Sequence, residues 1–149
     1  MDSRHARLPP EHGNTQAPKP ETTEQRATVQ QTHTIEFSFT KPPLTANQRH
    51  HWATRARLTK QIRRETYIRA KAMRLPHTTH ATITLHYQPR DNRRRDADNL
   101  VPTLKAICDG LTDANLVNDD TPTYMTKHMP KIHPAKKGQP GKCWIEVTL

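Results

Sequence analysis

Apolar and polar residues alternate in some stretches of the chain and recur at helical spacing in others. In "HTIEFSFT" (33–40), Ile35, Phe37 and Phe39 fall on one side, the pattern of a half-buried strand. "HATITLHYQP" (80–89) repeats it with Ala81, Ile83, Leu85 and Tyr87. "TPTYMTKHMPKI" (121–132) and "CWIEVTL" (143–149) predict two further strands, with the basic "HPAKKGQPGK" as a hairpin tip between them. From about Thr54 to Arg74, helix formers dominate and Gly and Pro are absent. Leu58, Ile62 and Thr66, then Ile68, Ala72 and Leu75, give that helix a modest apolar stripe. A second stripe of Leu100, Leu104, Ile107 and Leu111 predicts another helix. Its start is expected near Pro102, because proline is tolerated in a first turn but disfavours helix at the residue before it. The order β-α-β-α-β-β predicts an α+β fold: a small mixed sheet with two main helices packed on it. No internal repeat is visible.

Residues 1–32 carry Pro9, Pro10, Pro18 and Pro20, many Thr and Gln, and almost no large apolar side chain. Such a stretch cannot bury enough surface to offset chain entropy and is expected to be a disordered tail before a domain at 33–149. Only 32% of the chain is hydrophobic, so the core is expected to be small. No apolar run approaches the roughly 18 residues of a membrane span, and no signal-peptide core follows the polar start. The expected compartment is the cytoplasm, with no membrane partner. Cys108 and Cys143 form no CxxC pair and read as reduced, partly buried thiols.

The formal charge is +10, and the tail is neutral, so the excess belongs to residues 33–149. A small domain with that charge attracts polyanions, nucleic acid first. A membrane surface is disfavoured, since no strongly amphipathic helix with a Trp/Phe/Leu face is present. Arg55, Arg57, Lys60, Arg63, Arg64, Arg69, Lys71 and Arg74 cover the first helix; they read equally well as a solvated face.

Against this background "RRRDADNLVPTLKAICDGLTDANLVNDD" (93–120) gathers six of the fourteen carboxylates: Asp96, Asp98, Asp109, Asp113, Asp119 and Asp120. Asp96 and Asp98 are expected in an extended lead-in to the second helix, where i, i+2 spacing puts side chains on the same side. Arg93, Arg94 and Arg95 could compensate their repulsion, and so could a hard divalent cation, which one or two carboxylates hold together with waters and phosphate. Lys105 and Asp109, i, i+4 on a helix flank, can form a surface pair, or Lys105 can stand beside the carboxylates as a phosphate-stabilising ammonium. Asp119 and Asp120 open the next strand, where capping and solubility are the ordinary roles. Taken together, three carboxylates and an ammonium are the inventory for metal-assisted phosphodiester hydrolysis.

These motifs resemble the RusA family of Holliday junction resolvases, found in prophages and bacteria. "RRRDADNL" is similar to the family's Arg-rich D-x-D-N, "LKAICDGL" to its K-x-x-x-D-x-L helix, "NDD" to its D-D, and "PPLTANQRHHW" to its Pro-Pro-x-x-x-N segment. The resemblance covers roughly 33–149. It implies a RusA-like fold and a Mg²⁺-dependent endonuclease, with Mn²⁺ as a substitute. It further implies a homodimer that nicks four-way DNA junctions symmetrically in a bacterial or phage-infected cell. By motif position Asp96, Asp98 and Asp120 are the implied metal ligands and Lys105 the essential lysine. Arg93, Arg94, Arg95, Asn47, Lys136 and Lys137 are the expected DNA contacts, with Asn99, Asp109 and Asp119 as supporting positions. One departure stands out. The family's lysine follows the second aspartate of D-x-D by four residues, where this chain has Pro102; Lys105 follows Asp98 by seven. An insertion of three residues near the helix start accounts for this.

Two other functions fit the same residues: a basic module that holds branched DNA without cutting it, and a nuclease of this fold acting on other branched DNA. A PD-(D/E)xK nuclease is disfavoured, because no E-x-K follows an upstream aspartate across a strand pair. A zinc site at "HTTH" (77–80) or His50-His51 is disfavoured by loose spacing in polar surroundings. The first strand with Phe37 and Phe39, and the first helix, are the candidate dimer surfaces.

Overall fold

The computed structural model describes residues 30–149, so positions 1–29 of the expected tail lie outside the described residues. The elements are β1 (Thr32–Glu36), α1 (Trp52–Ala72), β2 (Ala81–Gln88), a 3₁₀ turn (Ala97–Leu100), α2 (Val101–Asp113), β3 (Met125–Lys127), β4 (Lys131–Ile132) and β5 (Lys142–Thr148). Within the described residues Thr32, expected in the tail, pairs in β1, and Gln31 accepts from the Leu149 N–H at 2.9 Å.

One mixed sheet of five strands runs β1-β5-β2, with β3 and β4 following one another along the far edge of β2. β1 and β2 are antiparallel to β5, whereas β3 and β4 are parallel to β2. The alternating pattern sets the registers: Ile83 faces Val147, Leu85 faces Ile145 and Tyr87 faces Cys143. These side chains join Ile62 of α1 and Leu104, Ile107 and Leu111 of α2 in one hydrophobic cluster. Two helices on a mixed five-stranded sheet make an α+β domain, as the periodicity predicts.

Several expectations are corrected. The strand expected at 121–132 is broken into β3 and β4, and Pro130, which has no N–H to donate, stands in the gap. The 133–141 segment is no hairpin tip. β4 and β5 flank β2 on opposite sides, so the segment carries the chain across the end of β2. On α1 the buried positions are Ile62, Thr66 and Ala70, while Ile68 is 52% exposed. α2 begins at Val101, beside Pro102 as expected, and the 3₁₀ turn already delivers Val101 in helical geometry (φ −57°, ψ −39°).

Helices α1 and α2 cross closely at Gly110. A Cβ there would lie 2.7 Å from both the Arg63 carbonyl oxygen and Thr66 Cβ. Beside the crossing, Arg63 donates to both carboxylate oxygens of Asp113, at 3.0 and 2.9 Å. Phe37 is buried and stacks on Phe39 with centroids 4.9 Å apart, so this pair serves the chain's own core.

Candidate active site

After β2 the chain leaves the sheet through 89–95, and Arg95 holds this excursion in shape. Its guanidinium donates to Asp91 Oδ1 at 2.6 Å and to the Asp91 and Arg93 carbonyls at 2.9 Å, and it lies over the Tyr87 ring. The hydrogen bond from Arg95 holds the Asp91 carboxyl below its usual range. Arg95 is therefore a brace, and of the three arginines only Arg94 is in no ion pair among the described residues.

Asp96 has extended backbone (φ −101°, ψ 131°). Its carbonyl then accepts from the Asn99 N–H at 3.2 Å, closing a 3₁₀ turn that contains Asp98. The expectation that Asp96 and Asp98 both lie in extended backbone is thus overturned. The turn wins because the backbone N–H of Val101 also finds an acceptor in it, the Asp98 carbonyl. Both carboxylates are exposed, and neither has a hydrogen-bond or ion-pair partner among the described residues.

The loop before α1 closes over this point. Thr103, buried on α2, accepts from the Leu44 N–H at 3.1 Å and donates to the Leu44 carbonyl at 2.7 Å. Asn99 accepts from the Ala46 N–H at 3.0 Å. These bonds bring Asn47 and Gln48 to the mouth of a cleft of about 380 Å³ that also holds Lys41, Arg94, Asp96 and Asn99. Lys136 and Lys137 stand exposed on the crossing segment, which Asn92 anchors by accepting from the Ala135 N–H at 2.8 Å.

Along α2, Lys105 turns to Asp109 at 3.0 Å and to Asp120, in the loop before β3. Lys127 of β3 donates to the same Asp120 oxygen at 2.9 Å. The hydrogen bond from Lys105, then that from Lys127, holds the Asp120 carboxyl well below the carboxylate range. Asp120, then Asp109, holds the Lys105 ammonium well above the ordinary lysine value. Asp119 caps the loop by accepting from the Asp120 N–H at 2.8 Å. Lys127 was not expected at the site; its only sequence signal is a lysine on the strand that Asp120 leads into.

The structure therefore joins Lys105, Asp109 and Asp120, and separately joins Asn47, Arg94, Asp96 and Asn99. It does not gather Asp96, Asp98 and Asp120 into one ligand set: among the described residues no three of His, Cys, Asp and Glu are grouped to hold a metal ion. The donor chemistry at Asp96 and Asp98, exposed carboxylates with no other partner, fits a hard cation that keeps several waters. Asp120, with two ammonium groups on one oxygen, does not fit as a third ligand in this arrangement. Both thiols are buried, and burial pushes Cys108 and Cys143 up to about 12. Among the described residues no helix is long and apolar enough to cross a membrane.

No family model matches the chain, and no curated protein matches it.

Proposed function

We propose that this chain is a RusA-like, Mg²⁺-dependent endodeoxyribonuclease that resolves four-way DNA junctions by paired nicks, in the cytoplasm of a bacterial or phage-infected cell. The observation that carries the reading is the meeting of Lys105 and Asp120. They lie fifteen residues apart, Lys105 on the helix that the D-x-D segment leads into and Asp120 in the loop before β3. Lys105 follows Asp98 by about two turns, or roughly 10 Å along the axis, and still reaches Asp120.

In this reading Asp96 and Asp98 hold Mg²⁺, which when bound supplies Lewis acidity toward a phosphodiester. Asn47, Arg94, Lys136 and Lys137 hold the DNA backbone around the cleft. Lys105, kept charged by its carboxylate partners, stabilises negative charge developing on phosphate. One domain carries one site, and a four-way junction has two symmetry-related strands to cut, so the active form is a C₂ homodimer.

A second reading, holding branched DNA with little or no cutting, is favoured by the engagement of Asp120 with two lysines and by the lack of a three-carboxylate group among the described residues. A synthetic four-way junction incubated with and without Mg²⁺, beside matched duplex, separates the two. Paired symmetric nicks that need Mg²⁺ support the resolvase. Tight, junction-selective binding with no nicks supports the binding module. Nicks on one strand only point to a nuclease for other branched DNA. Asp98→Asn is expected to abolish cutting and leave junction binding equal or tighter, because a carboxylate repels phosphate.

A further inference from the structure

Helix α1 carries a second surface, lined by none of Asp96, Asp98, Asp109 and Asp120; the one carboxylate that lines it, Asp113, is paired with Arg63. Residues 52, 56, 59, 63 and 67 recur at spacings of three and four, so they share one side of the helix. That side is not the core side, which is Ile62, Thr66 and Ala70. Trp52 is 76% exposed and Tyr67 41%, and they end a groove of about 730 Å³. Fifteen residues of helix separate them by about 22 Å along the axis. Between them stand Arg55, Lys60 and Arg64, none of which is in an ion pair among the described residues. The one acid of α1, Glu65, is spent on Ser38 and Arg69.

An aromatic ring this exposed adds nothing to the core, and exposed cations between two rings suit a polyanion whose bases can stack. In duplex DNA the base faces are covered, whereas an unpaired strand offers both π-faces and phosphates. A second copy of this chain fits poorly, since a symmetric contact would set one cationic face against the other. We propose that the α1 groove binds an unpaired DNA strand, with a base stacked on Trp52 and phosphates held by Arg55, Lys60 and Arg64. Trp52 follows directly on the loop whose Asn47 and Gln48 line the carboxylate cleft, so a strand opened at that cleft meets the groove at its Trp52 end. The inference does not require that the carboxylate site cuts.

The test measures binding of a labelled oligothymidylate of about 15 nucleotides, without divalent cation, to the full chain by fluorescence anisotropy. A duplex of equal length is measured beside it. Trp52→Ala is expected to weaken single-strand binding by about 5- to 100-fold and leave duplex binding unchanged. Trp52→Phe, which keeps a stacking face, should restore most of it. Arg64→Glu, elsewhere in the same groove, should also weaken single-strand binding and so gives a reading independent of Trp52. Unchanged single-strand binding in Trp52→Ala and Arg64→Glu overturns the proposal. An equal loss on duplex and single strand overturns it too, as does conversion of a dimer to a monomer in light scattering, which would assign the groove to a second copy.

Discussion

Lys105 on α2 and Asp120 in the loop before β3 share a hydrogen-bonded ion pair that ties the middle of the helix to the entry of the edge strand. Lys127 completes it from the strand side, so Asp120 answers two ammonium groups at once. Lys105 is more than half exposed, which limits what its pair adds to stability to under about 1 kcal/mol. Lys105→Met should therefore leave unfolding nearly unchanged. Its expected effect is on the reaction: a fall of about 10²–10³ in single-turnover junction cleavage, with binding retained. Cleavage at the wild-type rate would remove Lys105 from the mechanism.

The cleft depends on a buried residue that does not line it, Thr103. Thr103 bonds both the N–H and the C=O of Leu44, and both residues are buried. Thr103→Val keeps the volume but leaves two backbone groups without partners, at a cost of about 2–4 kcal/mol in urea unfolding. The loop that presents Asn47 is released with them, so junction affinity should fall as well. Thr103→Ser should recover both losses; recovery of neither would mean that the hydroxyl is not what holds the loop.

Gly110 sets the distance between the helices. Alanine there puts a Cβ against the Arg63 backbone, which cannot yield as a side-chain tip can. Gly110→Ala should destabilise by about 1–3 kcal/mol despite alanine's better helix propensity. A stabilised variant in thermal unfolding would show that the crossing can open freely.

Strict period-two alternation made β2 and β5 legible in sequence, since Ile83, Leu85, Ile145 and Val147 each have one side to bury. α2 was legible from Leu104, Ile107 and Leu111. What escaped the sequence was relational. "HPAKKGQPGK" has the composition of a tight turn, yet whether it turns back or crosses depends on β2 lying between its ends. α1 showed Ile62 and Thr66 of its core side in sequence but hid the rest, because Ala70 is buried while Ile68 faces outward. At the site, i, i+4 spacing anticipated the pair of Lys105 with Asp109, whereas Asp120 was expected beside Lys105 only within a cluster with Asp96 and Asp98 that the structure does not gather. Spacing could not reveal that Lys127 reaches the same Asp120 oxygen, which depends on how β3 pairs along β2, or that Asp98 sits in a 3₁₀ turn, which depends on the backbone bond from Asn99 to Asp96.

The ring stack beneath the sheet should make stability pH-dependent. His86 is 5% exposed and stacks on its cross-strand neighbour Trp144, with centroids 5.2 Å apart. Its Nδ1 is 2.8 Å from His133 Nε2, while its Nε2 lies 3.4 Å from Glu146 without completing a hydrogen bond. Burial is the largest influence and holds the His86 pKa below 6.5; Glu146 pulls the other way, and His133 and Lys131 add to the depression. The folded state thus favours the neutral ring, while the unfolded chain takes up a proton near its ordinary value. The resulting stability is fully present above about pH 6.5 and is lost as pH falls toward the lower folded-state value. Urea midpoints should therefore drop between pH 7 and about pH 5, above the range where most carboxylates titrate. His86→Phe keeps a ring against Trp144 and removes the titrating group, so its midpoint should change less over the same interval. An equal drop in both proteins would assign the pH dependence to other groups.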